Sequence, residues 1–279
     1  MIFYSFDRED SNMIFVFLSH DVDWGKEGAP IAHIMARKER FDEEVLRNCA
    51  SKNPYYNFPE YVEIEERFGV RSTFFFRTYV SGAPFPPPSY YAEEYNQEIK
   101  SLVKGGWEIG LHMDPSSHSV CGLMKKEKEA LEGISSVPIY GNRVHYTMNN
   151  NVLHRNLQKV GFKYDSSAKF SRERIVKRDF GYFKKSRLIV FPMTIMDALA
   201  FAYLAVTEDD VVKLIKKVVE MCDKLRQKDK VITIVWHDCV LKMRKGRRYP
   251  EVLEYLTSRK DIEIKRGIDL VNMIEEGSL

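Results

Sequence analysis

The chain of 279 residues is 44% hydrophobic and 13% aromatic, enough to bury a large core in a single α/β domain. Its 43 basic and 40 acidic residues leave a net charge of +3, which gives no overall reason to expect a nucleic-acid partner. The cysteines Cys49, Cys121, Cys222 and Cys239 lack close paired spacing and read as reduced, packed residues, with Cys239 of interest only because it follows His237 by two positions.

Taken in order, the N-terminal stretch Met1 to Asp10 turns acidic within seven residues and has no basic start before an apolar run, so no secretory signal is expected and a cytoplasmic location is. The run Met13-Ile14-Phe15-Val16-Phe17-Leu18 then reads as a fully buried strand that delivers Asp21 and Asp23 to its C-terminal end. Two carboxylates one residue apart point the same way along a strand and repel, and a cation relieves that repulsion. Residues 25–58 are too long for an ordinary loop and predict an insertion with an amphipathic helix over Ile31 to Ala50, on which His33 sits. Pro59 to Phe68 predicts a helix and Arg71 to Thr78 a strand.

The segment Gly82-Ala83-Pro84-Phe85-Pro86-Pro87-Pro88 is expected to be extended and to lie on the same side as Asp21 and Asp23. Tyr90 and Tyr91 after it suit either sugar stacking or packing at the start of the next helix. Further strands are predicted at Trp107 to His112, Val137 to Arg143, Phe162 to Tyr164, Leu188 to Phe191 and Val231 to His237, with an irregular one near Phe180 to Phe183. Helices are predicted around Leu123 to Leu131, at Asn149 to Val160 carrying His154, at Glu208 to Arg226, and at Pro250 to Thr257 and Ile268 to Ile274 around Ile262-Ile264. The apolar stretch Phe191 to Val206 is broken by Asp197 and begins Phe-Pro, so it predicts a strand end and a buried helix and no membrane span. Strands alternating with helices call for a parallel sheet, and seven or eight such units for a barrel with its site at the strand C-terminal ends.

Five stretches, in order, resemble the motifs of the polysaccharide deacetylase (NodB-homology) superfamily: Ser19-His20-Asp21-Val22-Asp23, Trp107-Glu108-Ile109-Gly110-Leu111-His112, Gly141-Asn142-Arg143-Val144-His145-Tyr146, Gly161-Phe162-Lys163-Tyr164-Asp165-Ser166-Ser167 and Val231-Ile232-Thr233-Ile234-Val235-Trp236-His237. The resemblance implies a distorted (β/α) barrel of about seven parallel strands, with Asp21 as general base and Asp23 and His112 as metal ligands. Zinc is the first choice for one carboxylate and imidazole donors, other first-row divalent ions following. His237 is then expected to protonate the leaving amine and Arg143 to orient Asp21. Asp165 matches a motif position without a derivable role.

The family's second histidine usually follows four residues after the first, whereas His118 follows His112 by six with Pro115 between. His118 is nevertheless the expected third ligand, because a donor on the same loop costs less to position. His145 is its rival, Asp114 is more remote, and His145 and Tyr146 are otherwise expected as substrate-facing groups where the family commonly has Pro-Tyr. The implied activity is hydrolysis of an acyl group from an N-acylated sugar or related amide, on a carbohydrate or other small substrate. Lys242, Arg244, Lys245, Arg247 and Arg248 after the last motif suggest an anionic one. A catalytically silent carbohydrate-binding protein on the same barrel and a polysaccharide-assembly accessory acting through protein contacts are the competing readings.

Overall fold

Side-chain alternation along the first strand sets the architecture. The computed structural model describes residues 13–78, 90–226 and 229–279. In chain order its elements are β1 (Ile14–Val22), α1 (Ile31–Met35), α2 (Glu43–Asn48), α3 (Phe58–Arg67), β2 (Thr73–Phe76), α4 (Asn96–Gly105), β3 (Glu108–Met113), α5 (Cys121–Ser135), β4 (Gly141–Val144), α6 (Asn151–Val160), β5 (Tyr164–Asp165), β6 (Phe183–Lys185), β7 (Leu188–Val190), β8 (Ile195–Met196), α7 (Asp197–Tyr203), α8 (Val211–Asp223), β9 (Val231–Val235), α9 (Tyr249–Ser258), β10 (Ile262–Lys265) and α10 (Gly267–Glu276). Ile14, Val16 and Leu18 pack into the outer core beneath the helices, while Phe15 and Phe17 join a separate inner cluster with Phe75, Tyr164, Phe191 and Leu270. Because successive strand residues face opposite ways, Ser19 and Asp21 continue the inner row beyond the phenylalanines. One face of β1 thus runs from apolar to charged, and the charged end is where the site forms.

The strands form one sheet in the order β6-β7-β5-β4-β3-β2-β1-β9-β8, with β10 also paired to β1. Every pairing is parallel except β6 with β7. This is the expected distorted barrel, but with more strands than about seven. Several are very short, β5 and β8 having two residues each, which is why their sequence signals are weak. The sheet curls without closing between its end strands β6 and β8, and a bond from Gly181 N–H to Val231 O (2.8 Å) ties the chain across near β9. Leu270, Val271 and Ile274 of α10 plug the apolar end of the inner cluster. Each fully buried side chain of this size contributes about 1.5–3 kcal/mol.

Two glycines leave room for this interior. A Cβ at Gly110 would stand 2.4 Å from the Phe75 ring, and one at Gly141 would stand 2.2 Å from Tyr164. Any larger residue at either position would displace the ring that fills the barrel beneath the site.

The insertion is not the single helix expected from Ile31 to Ala50. α1 and α2 are separated by a 3-10 turn at Lys38–Arg40, and the following Phe41 is extended and 1% exposed. Burying Phe41 outweighs continuing a helix through Arg37-Lys38-Glu39-Arg40, which has no apolar face to bury. Tyr90 packs: its hydroxyl donates to Val22 O (2.7 Å) and accepts from Arg77 N–H (2.9 Å), whereas Tyr91 is exposed. The proline-rich segment 82–88 lies outside the described residues. Among the described residues no helix is long and apolar enough to cross a membrane.

Two buried acids mark the fold for a pH test. Burial pushes Glu108 up to about 7 against its hydrogen bonds from Thr73 and Ile268, and pushes Glu127 up to about 8. Both start from an ordinary value of 4.5, so between pH 4.5 and these values the folded state holds protons that the unfolded chain has released. The contribution of these two acids to stability should therefore be full below pH 4.5 and be lost as pH rises toward 8. Urea unfolding across this range should show the decline, and Glu108→Gln with Glu127→Gln should make it shallower; an unchanged slope in the double variant would show that other groups are responsible.

Candidate active site

Parallel register brings the strand ends together. β3 pairs with β4 so that His112 is opposite Arg143, and β1 pairs with β2 so that Asp21 is opposite Phe75. Arg143 and His145 have the same parity, so the residue just beyond β4 returns to the inner face. The outcome is a compact donor group: Asp23, His112 and His145 each offer one ligand atom, all within 4.8 Å of one another. His112 Nε2 lies 2.9 Å from His145 Nδ1 and 3.3 Å from Asp23 Oδ1, and His145 Nδ1 lies 3.4 Å from the same oxygen.

The protonation states suit a cation. His112 Nδ1 is 3.0 Å from the Arg143 carbonyl, which can only accept, so the ring proton belongs on Nδ1 and Nε2 presents a lone pair. Burial pushes His145 down, overcoming the pull of Asp23, and so favours its neutral form. Burial acts to raise Asp23, but the imidazoles of His112 and His145 beside it outweigh burial and hold the carboxyl well below its usual range. A tetrahedral ion with ligands at about 2.0–2.2 Å holds neighbouring donor atoms roughly 3.3–3.6 Å apart, a little wider than the spacing here.

His118 does not join this group. Asp114 accepts from Ser116 N–H (2.8 Å) and starts a 3-10 turn at Pro115–Ser117, after which His118 Nδ1 turns back onto Pro115 O at 2.7 Å. The turn uses up the two extra residues by leading away from the strand end. Asp114 itself pairs with Arg77 at 3.2 Å.

Asp21 is 1% exposed and held apart from the donor group. Arg143 Nη1 donates to its Oδ1 (2.5 Å), while Oδ2 faces His112 Nε2 and His237 Nε2, both at 3.9 Å. Burial would raise Asp21, but Arg143, then His112 and His237, more than offset it and keep the carboxyl ionised below its usual range. Arg143 is itself fully buried, fixed by Ser19 Oγ (2.9 Å), Ser166 Oγ (3.0 Å) and Ser166 O (3.0 Å), and stacked 4.3 Å above the Phe75 ring.

One group escaped the sequence reading. The β8–β9 register sets Met196 opposite Val235, so Asp197 at the start of α7 meets His237: Asp197 accepts from His237 N–H (2.8 Å) and pairs with its Nδ1 (2.5 Å). The imidazole Nε2 is left facing Asp21 and Asp23, at 3.9 and 3.8 Å. Burial works to lower His237, but Asp197 foremost, with Asp23 and Asp21, raises it to about 10. Asp197→Asn should lower the His237 pKa, read by NMR of its ring protons; an unmoved titration would deny Asp197 this role. The available signal was a lone carboxylate inside an apolar stretch, fully buried in the fold.

Other expectations resolve differently. Tyr146 is exposed, has φ 61°, and lies 4.2 Å from the His145 ring, within reach of anything bound over the donor group. Asp165 faces away from the barrel interior, taking Asn142 Nδ2 (2.7 Å) and Ser167 Oγ (2.6 Å). His33 packs edge-on against Trp24 and Tyr55. The cations after His237 are matched by acids: Lys242 with Glu60, Arg244 and Arg247 with Asp42, Arg247 also with Glu208, and Arg248 with Asp209 and Glu251, while Lys245 bonds Phe201 O. This removes the basis for an anionic substrate, because paired surface charges cancel at a distance.

No protein-family model and no curated protein matches the sequence. Solved structures do. A chain from Mycobacterium smegmatis assigned as a polysaccharide deacetylase covers 97% of this chain and is itself 93% covered, at 18% identity and a TM-score of 0.67. PuuE allantoinase matches at 14% identity, 94% and 91% coverage and a TM-score of 0.64. A chain of Pseudomonas aeruginosa PAO1 assigned as a polysaccharide deacetylase matches at 13% identity, 95% and 92% coverage and a TM-score of 0.63. The chain shares the fold of these structures, at low sequence identity.

Proposed function

We propose that the protein is a metal-dependent hydrolase that removes an acyl group from an N-acylated sugar or a related amide. The observation that carries this reading is one carboxylate and two imidazoles converging, each with a ligand atom within 4.8 Å of the others, beside a separately held, ionised carboxylate. A divalent ion, zinc first among the candidates, held by Asp23, His112 and His145 would polarise the scissile carbonyl and activate water.

Asp21 takes the proton of the attacking water. Its Oδ1 is committed to Arg143, which leaves Oδ2 as the basic atom on the donor-group side. Arg143 stabilises the carboxylate and fixes its plane, a positioning role. His237 delivers a proton from Nε2 to the departing nitrogen, while Asp197 holds Nδ1 and so keeps the ring turned into the site. Tyr146 and His145 border the space for the sugar. The structural neighbours assigned as polysaccharide deacetylases support an N-acetylated sugar as the substrate class.

Metal analysis of the purified protein, combined with an acetate-release screen over N-acetylated sugars and nucleotide sugars, tests the reading. About one zinc or other divalent ion per chain with metal-dependent acetate release is expected. Metal without turnover of any N-acyl substrate would favour the silent carbohydrate-binding alternative, and absence of metal affinity would overturn the ligand set.

A further inference from the structure

We propose that the cleft between α6 and β6, remote in its lining from the donor group, binds a nucleoside phosphate. The cleft has a volume of about 680 Å3, within the range of small-ligand sites. None of Asp21, Asp23, His112, His145 or His237 lines it. Its floor is aromatic and its rim cationic: Phe170 and Phe183 lie with ring centres 6.3 Å apart, and Lys177, Arg178 and Lys185 stand around them. Among the described residues these three cations have no ion-pair partner, in contrast to the matched cluster after His237. Arg178 stacks on Phe170 with its guanidinium carbon 4.2 Å from the ring centre. One acid, Asp229, also reaches the cleft.

The deepest polar group is His154. It is 4% exposed, yet neither ring nitrogen has a hydrogen-bond partner among the described residues. Leaving a buried polar atom unpaired costs about 1–3 kcal/mol, so an occupant that bonds to it recovers energy. Nε2 stands 3.6 Å from Asp165 Oδ2, outside hydrogen-bond range, and a neutral imidazole offers one ring nitrogen as an acceptor. His154, Phe183, Phe170 and Arg178 therefore form a row from a buried acceptor, across two rings, to a positive rim.

A ligand complementary to that row has a flat ring to lie on the aromatic floor, a hydroxyl or ring N–H to donate to His154, and a multiply charged anion to meet the three cations. Nucleosides with a phosphate combine all three, base stacking on aromatic side chains being tolerant of base identity. The site does not depend on the hydrolase reading, since it uses none of that machinery.

Isothermal titration of the full chain with UMP and AMP, and separately with uridine and with inorganic phosphate, tests this. Both nucleotides are expected to bind, with uridine and phosphate each weaker by about tenfold or more, the worth of one charge-assisted contact. Lys177→Ala/Arg178→Ala, a change confined to exposed residues, should weaken UMP by about tenfold or more and leave acetate release unaltered. Phe170→Ala should also weaken it. The proposal is overturned if no nucleotide binds at millimolar concentration, if uridine or phosphate alone binds as well as UMP, or if affinity survives Lys177→Ala/Arg178→Ala but falls in His145→Ala, which would move the ligand to the donor group.

Discussion

Replacing His145 with alanine is expected to strip the protein of zinc, with affinity falling about a hundredfold or more, while His118→Ala leaves zinc binding unchanged. The difference follows from strand parity. His145 lies two residues beyond Arg143, shares its inward direction, and brings Nδ1 to 3.4 Å from Asp23 and 2.9 Å from His112 Nε2. His118 is spent on Pro115 O. Because His145 is half-buried and outside the packed interior, its loss should leave the fold intact, and far-UV circular dichroism on the same samples checks that. Retained zinc in His145→Ala together with lost zinc in His118→Ala would reverse the ligand assignment.

Much of the site was legible because strands buried on both faces are written as unbroken apolar runs, and a charged residue at the end of such a run has few reasons to be there. Asp21 and Asp23 after Leu18, His112 after Leu111 and His237 after Trp236 all stand out in this way. The third donor was not legible by the same logic. Loop-closure entropy favours a donor near His112, but the cost difference between a short loop and a neighbouring strand is small. Face alternation is a steric constraint and overrides it, and applying it to Arg143 picks out His145.

Asp197 was hidden for a different reason. In sequence it reads only as a polar break in an apolar stretch, since β8 is two residues long and gives no periodic signal. Only the pairing of β8 with β9 shows that the break meets His237. The cation cluster from Lys242 to Arg248 erred in the opposite direction. Its charges were visible, but their partners Asp42, Glu60 and Glu208 come from distant segments that sequence proximity cannot reveal.

Asp21→Asn is expected to lower hydrolysis by about a hundredfold or more while zinc stays bound, because it removes the basic oxygen without removing a ligand. The geometry separates the two aspartates: Asp23 Oδ1 lies 3.3 Å from His112 Nε2, whereas Asp21 comes no nearer than 3.9 Å and spends its other oxygen on Arg143. The amide keeps the shape but not the charge, so Arg143 loses its counter-ion in a fully buried setting. Removing one partner of such a pair typically costs about 3–5 kcal/mol, and the melting temperature should fall as well. Activity must therefore be compared below the variant's unfolding transition, with zinc content measured on the same samples. Acetate release close to that of the native protein, with zinc bound, would show that some other group takes the proton. Loss of zinc along with activity would instead mean that Asp21 helps hold the ion, and the division of labour between the two carboxylates would have to be redrawn.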